Sequence, residues 1–143
     1  MLELLLSQRE ARASNSLSRL RALENLSAAG LWQDDFDLQG TNLDGLRIPF
    51  SRWRGANFSS TVLCQADLHG ADLARADFSH ADLTGADLSG ADLREASFVG
   101  AKLSLADLRG ANVAGADFRE VELSQTRHDG PLPGMDGGPA DRV

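Results

Sequence analysis

The chain holds a single cysteine, Cys64, and only three histidines, His69, His80 and His128. One cysteine forms neither an intrachain disulfide nor a thiolate cluster for zinc or iron–sulfur, and it suits a reducing compartment. Long apolar runs are missing. The opening MLELLL lacks a basic flank and is closed by Ser7, Gln8, Arg9 and Glu10. It is too short for a signal-peptide core or a membrane span, so the expectation is a cytoplasmic protein without membrane contact. Positive charge is scarce as well: 14 Lys and Arg face 21 Asp and Glu, a net charge of −7. Direct binding to nucleic acid or to an anionic lipid surface needs clustered Lys and Arg, and both partner classes are excluded on that ground. No GxGxxG or Walker loop occurs. His69 and His80 fall on different faces without a cysteine partner, and no nucleophile, base and orienting group come together. We expect no catalytic residue, no metal ligand and no cofactor, and therefore no enzyme.

What the chain does have is a register. Residues 66–98 read ADLHG ADLAR ADFSH ADLTG ADLSG ADLRE ASF. Taking the large apolar residue as the centre of each unit, centres run from Leu38 to Leu123 in 18 units with no insertion or deletion. A small residue stands two positions before most centres, alanine in 12 of the 18 units. Glycine recurs two positions after it, as at Gly70, Gly85, Gly90, Gly100, Gly110 and Gly115.

Five is the period of neither a helix nor a plain strand. In an extended segment residues i and i−2 point to one side, so the alanine and the centre face inward while the acid between them faces out. A corner follows, where glycine or a polar residue suits the turn. Phenylalanine is the centre at Phe58, Phe78, Phe98 and Phe118 and at no other unit, a spacing of 20 residues. A three-sided coil would scatter these rings over several faces. A four-sided coil stacks them in one structural core column. The prediction is an all-β solenoid, a quadrilateral β-helix of about 4.5 coils and roughly 22 Å, with coils about 4.8 Å apart.

Three segments follow. Residues 1–35 carry no register; Leu17, Leu20, Leu23 and Leu26 between polar residues, with Ser16 as N-cap and Gly30 as stop, predict an amphipathic helix. We expect these four leucines to pack on the first coil as an N-terminal α-helical cap, leaving Leu2, Leu5 and Leu6 for oligomerisation. Residues 36–125 are the β-helix. Its first coil breaks the pattern: Phe36 and Leu46 fill small-residue slots, Ile48, Pro49 and Phe50 interrupt a corner, and Trp53 is large for a centre. An open end exposes unpaired edges and bare core, so the expected cap contact joins Leu20, Leu23, Leu31 and Trp32 to Phe36, Leu46, Ile48, Phe50 and Trp53. Residues 126–143, rich in Pro and Gly, predict a disordered tail. That end has less to cover it: either Val121, Leu123 and the Pro-rich tail cap it or a second molecule does, so the expected state is a monomer or an end-to-end homodimer.

Tandem A(D/N)LXX units resemble the pentapeptide-repeat proteins, and the likeness covers residues 36–125. The resemblance implies a right-handed four-sided β-helix. Some members, of the quinolone-resistance type, bind DNA gyrase as DNA mimics.

With a coil of 20 residues, Asp67, Asp87 and Asp107 form one outward column, and Asp72 and Asp92 another beside it. Arg54 and Arg94 follow centres on the fourth face, with Arg75 at a corner next to them. Residues 36–125 hold 13 acids and 8 bases, so the charge is mixed. The expected function is a non-enzymatic protein-binding scaffold or adaptor that uses flat faces of alternating charge. The alternative is a DNA mimic that presents its Asp columns to gyrase, another topoisomerase or another DNA-binding protein. Cys64 follows a centre and should be an inert outward thiol, because its column neighbours Asp44 and Thr84 do not lower a thiol pKa.

Overall fold

The computed structural model describes residues 16–31 and 34–135. Its first element, α1, spans Ser16–Ala28. It stops in the way glycine permits: Gly30 has φ 66°, its N–H donates to the Ser27 carbonyl at 3.0 Å and that of Leu31 to the Leu26 carbonyl at 2.9 Å. This pair of bonds closes a helix end around a left-handed residue.

From residue 37 onward every side of the coil contributes one parallel bridge residue, always paired with the residue 20 positions on, from Asp37↔Asn57 to Asp107↔Arg127. Four five-residue sides per coil follow directly. The sheets are ladders of single bridge residues, because the chain turns again before a longer strand can form. Leu63 and Asp82 illustrate the ladder, with N–H to carbonyl at 2.7 Å. The corner is a β-turn: Ala66 N–H donates to the Leu63 carbonyl at 3.1 Å, and Gln65 between them has φ 58°. Positive φ at that position is what a type II turn needs, and it is why glycine recurs there.

The interior is almost wholly apolar; the buried Ser51 and Thr61 donate their hydroxyls to the Ile48 and Phe58 carbonyls. Alanines and centres from residues 56 to 106 are essentially inaccessible. Phe58, Phe78, Phe98 and Phe118 stack with ring centroids 5.0, 5.0 and 4.7 Å apart and planes within 10° of parallel. The ring spacing is the coil spacing, so the phenylalanine column records the 20-residue period in space.

At the N-terminal end Ala22 and Leu23 of α1 belong to the same buried cluster as Phe36, Leu46, Ile48 and Trp53. Phe36 meets Trp53 edge to face at 5.8 Å, and Trp53 Nε1–H donates to Ser51 Oγ at 2.9 Å. Glu24 Oε1 accepts the Arg47 N–H at 3.1 Å, a backbone donor that in later coils bonds to the coil before. Leu20 packs against this cluster from its edge, and Leu26 is buried. Three contacts differ from expectation. Leu31, just past the glycine that ends α1, is exposed. Leu17 is 76% exposed, because a spacing of three turns it off the face that carries Leu20, Leu23 and Leu26. Phe50 is 70% exposed and takes no part in the cap contact. It occupies a corner with φ 55°, and a corner position aims its side chain out of the coil. Trp32, Leu2, Leu5 and Leu6 lie outside the described residues.

The far end also departs from the expected loose tail. Leu132 is buried in the core cluster with Met135 packed against it. The Pro133 carbonyl accepts the Phe118 N–H at 3.0 Å, and the buried Thr126 hydroxyl donates to the Leu103 carbonyl at 2.6 Å. Residues 126–135 thus fold back over the last coil. A stretch of Pro and Gly can be ordered when one apolar side chain finds uncovered core. Residues 136–143 lie outside the described ones.

Two stability results are expected. Phe78→Ala, which removes a ring stacked on both sides, lowers unfolding free energy by about 3–5 kcal/mol in urea; an unchanged midpoint contradicts the column. Gly70 and Gly90 share positive φ, so alanine at either costs about 1–2 kcal/mol. A Cβ at Gly70 would collide with the Phe50 ring, whereas at Gly90 it meets nothing within 4 Å. Gly70→Ala therefore destabilises more than Gly90→Ala, and Phe50→Ala removes the difference.

Candidate functional site

The outward residue before each centre is Asp or Asn in 12 of the 18 units, and the structure gives it a backbone task. Its Oδ1 accepts the N–H two residues later: Ser79 to Asp77 at 2.9 Å, Ser89 to Asp87 at 2.9 Å, Arg109 to Asp107 at 3.0 Å, and Ala114 to Asn112 at 3.2 Å. These local bonds hold the entry to each corner. Asn serves as well as Asp, so the task demands an oxygen and not a charge.

The side chain two residues after the acid points the same way, and in several units it bonds to the same carboxylate, whereas Ser79 pairs with Ser97 of the next coil at 2.9 Å. Thr84 and Ser89 donate to Asp82 and Asp87 at 2.6 and 2.5 Å. Where this residue is arginine an ion pair results, at 2.6 Å for Arg94–Asp92 and Arg119–Asp117 and 2.7 Å for Arg109–Asp107. Arg54 reaches across one coil to Asp72 at 2.6 Å, and Arg52 binds Asp34 at 2.6 Å.

The structure therefore divides the candidate surface. Arg54, Asp72, Asp92 and Arg94 come together on the fourth face as two ion pairs, and Arg75 stands exposed at the adjoining corner. Asp67, Asp87 and Asp107 form the expected column through the bridges Asp67↔Asp87 and Asp87↔Asp107. Asp107 is occupied by Arg109, and Asp67 Oδ1 lies 2.6 Å from His69 Nδ1. Sequence reasoning placed these acids but missed most of their partners. The signal was there: D-L-R and D-F-R put an acid and an arginine on one face at a spacing of two. It also missed that Asp67, His69 and Asp87 bring ligand atoms within 4.8 Å of one another, because it asked of His69 only whether a second histidine or a cysteine stood beside it.

Arginine sets the acidity of this surface. The hydrogen bond from Arg94 holds Asp92 below the usual carboxylate range, and Arg109 and Arg119 do the same for Asp107 and Asp117. For Asp82 partial burial pushes upward, but donation from the Thr84 hydroxyl and N–H prevails and the net direction is down. Burial first, then Asp82 and Asp44, push the Cys64 thiol up. It is half-buried with Sγ 4.0 Å from the Asp82 carbonyl oxygen, and its thiolate is disfavoured.

Comparison with known proteins agrees with this geometry. The family model for pentapeptide repeats matches residues 54–90, 71–110 and 86–125 in 8 copies. The chain belongs to the pentapeptide-repeat family. Among solved structures it is similar to HetL of the cyanobacterium Nostoc sp. strain PCC 7120, a pentapeptide repeat protein involved in heterocyst differentiation regulation, with TM-score 0.65 and 28% identity. That match covers 73% of this chain and 46% of HetL, so the chain spans about half of that relative's length. Rfr23 of the cyanobacterium Cyanothece 51142 is similar at TM-score 0.59 and 23% identity, over 75% of this chain and 92% of Rfr23. A pentapeptide repeat protein of the Arabidopsis thaliana thylakoid lumen is 36% identical with TM-score 0.52, over 64% of this chain and 61% of that one. A search of curated proteins finds no match. Among the described residues no helix is long and apolar enough to cross a membrane.

The depressed carboxylates predict a pH response. Groups whose folded pKa lies below the unfolded value stabilise above the unfolded pKa, about 4, and that stabilisation is lost as pH falls through the folded value. Urea midpoints should hold steady near neutrality and drop below about pH 4. An Arg94→Gln/Arg109→Gln/Arg119→Gln variant should show a smaller acid-induced drop than the parent. An equal drop would mean that these ion pairs do not carry the effect.

Proposed function

We propose that the protein is a non-enzymatic cytoplasmic scaffold or adaptor that binds another protein through the fourth face of its β-helix, with α1 as the cap of the first coil. The observation that carries this reading is the pairing of charges. Arg54 with Asp72 and Arg94 with Asp92 make a flat checkerboard fixed on a rigid ladder, and a fixed pattern of both signs selects a partner by complementarity. Arg75 at the rim adds an exposed cation.

The DNA-mimic reading needs columns of carboxylates that stand free, like phosphates. Of Asp67, Asp72, Asp87, Asp92 and Asp107, three are ion-paired to arginine and Asp67 is bonded to His69. The aspartates also answer backbone N–H groups, which accounts for their number without a basic partner. This charge distribution favours the adaptor.

Affinity capture from lysate at two salt concentrations tests the choice, with two variants. Arg54→Glu/Arg94→Glu should abolish recovery of the partner, while Asp67→Lys/Asp87→Lys/Asp107→Lys retains it. Recovery of a DNA-binding protein that falls steeply with salt, and is lost only in the lysine variant, would reverse the assignment. Urea unfolding of both variants verifies that the coil persists.

A further inference from the structure

We propose that Asp67, His69 and Asp87 form a surface site for one divalent transition-metal ion of the Zn²⁺ class. Two features carry it, and each stands without the other. The first is the donor set. An imidazole and two carboxylates from adjacent coils offer ligand atoms within 4.8 Å of one another, one nitrogen and two oxygens of the kinds that zinc accepts. Waters would fill the remaining positions. The second is charge. The neighbouring bridge Asp72↔Asp92 has the same backbone geometry, and there Arg54 and Arg94 answer both carboxylates. Asp107 in the same column has Arg109. Asp67 and Asp87 make no ion pair with Lys or Arg among the described residues; their side-chain donors are His69 and Ser89. Arg47 precedes Asp67 in the column, and its backbone N–H donates to Glu24. Arg109 lies near enough to Asp87 to interact with it electrostatically, but its guanidinium is bonded to Asp107, so the Asp67–Asp87 pair keeps carboxylate oxygens that no Lys or Arg bonds among the described residues.

The surroundings hold the imidazole in place. The exposed Phe50 ring meets His69 edge to face at 4.5 Å and lies over Gly70, where any Cβ would collide with it. His69 Nδ1 and Asp67 Oδ1 stand 2.6 Å apart, closer than two donors bound to one zinc at about 2.1 Å. Binding therefore replaces that hydrogen bond. The imidazole carries its proton on Nε2, Nδ1 turns its lone pair to the ion, and a small rotation of the ring opens the gap. Oδ1 of Asp67 and Asp87 keep their backbone N–H bonds, at 3.3 and 2.9 Å, so the ladder beneath is undisturbed.

Calorimetric titration of the untagged full chain with Zn²⁺, in a Cys64→Ser background that removes the thiol, tests the site. One ion per chain is expected. His69→Ser and Asp87→Asn should each weaken binding by at least about tenfold, while Asp92→Asn on the adjoining face leaves it unchanged. His69→Ser is chosen because Ser89 already bonds to its own aspartate in the equivalent position, so the coil tolerates it. In amide NMR spectra the Zn²⁺-induced shifts should centre on residues 67–69 and 87–89. Absence of saturable binding in the Cys64→Ser chain, equal affinity in His69→Ser, or shifts centred on His80 or His128 would overturn the proposal.

Discussion

The whole molecule depends on backbone hydrogen bonds between residues about 20 apart. Each side uses them in the same way: Leu68 N–H to the Asp87 carbonyl, Asp87 N–H to the Ala66 carbonyl, Gly70 N–H to the Ser89 carbonyl, at 2.8, 2.8 and 2.9 Å. Parallel pairing ordinarily needs a long crossover. Here the coil is its own crossover, so every coil must spend the same number of residues. One inserted residue would move each later alanine and centre out of the core and each acid into it. That constraint explains why the chain keeps one register through so many units, and why its departures are substitutions and never insertions.

Stacking at a fixed separation has opposite effects inside and outside. Inside, like on like is favourable: phenylalanine meets phenylalanine, and alanine leaves room for the centre beside it. Outside, acid stacks on acid, and two charges about 5 Å apart repel by roughly 0.8 kcal/mol even at the dielectric of water. The residue after the centre offsets this in several units, as Thr84 and Ser89 donate to the carboxylate and Arg94, Arg109 and Arg119 neutralise it. Corners show the same trade between neighbouring coils. Phe50 lies over Gly70, Gln65 over Gly85 and His80 over Gly100. A large side chain at one corner fits because glycine follows in the next coil.

The fold was legible because one period controls both burial and turn. Two aligned signals, the alanine–leucine pair and the 20-residue phenylalanine spacing, leave four sides as the consistent solution. What escaped were places where a side chain's direction depends on more than its register. Phe50 reads as surplus apolar surface for a cap, yet a positive-φ corner sends it outward onto His69. Leu17 fits a spacing of three but not the helical turn. Leu132 sits in a Pro-rich stretch that composition marks as unstructured, yet the last coil has open core, and Leu132, Met135 and the Phe118–Pro133 backbone bond hold the segment on it. The charged surface was half legible: the columns follow from the period, but the reach of Arg54 into the next coil, and the approach of His69 to Asp87, follow from rotamers that no pattern states.

These observations bear on how such a surface should be interpreted. The position before the centre is Asp or Asn because a corner N–H needs an acceptor, so a count of acids reports the fold before it reports a partner. The position after the centre carries no such backbone demand. It varies from His69 to Ala74, Ser79, Thr84, Ser89 and Arg94 in successive units, and it decides whether the acid beside it is neutralised, hydrogen-bonded or left to bind something else. A substitution there changes the charge pattern without changing the register. Selection for a partner can therefore act at this position at little cost to the coil, and the identity of each face resides mainly in those residues and in the corners next to them.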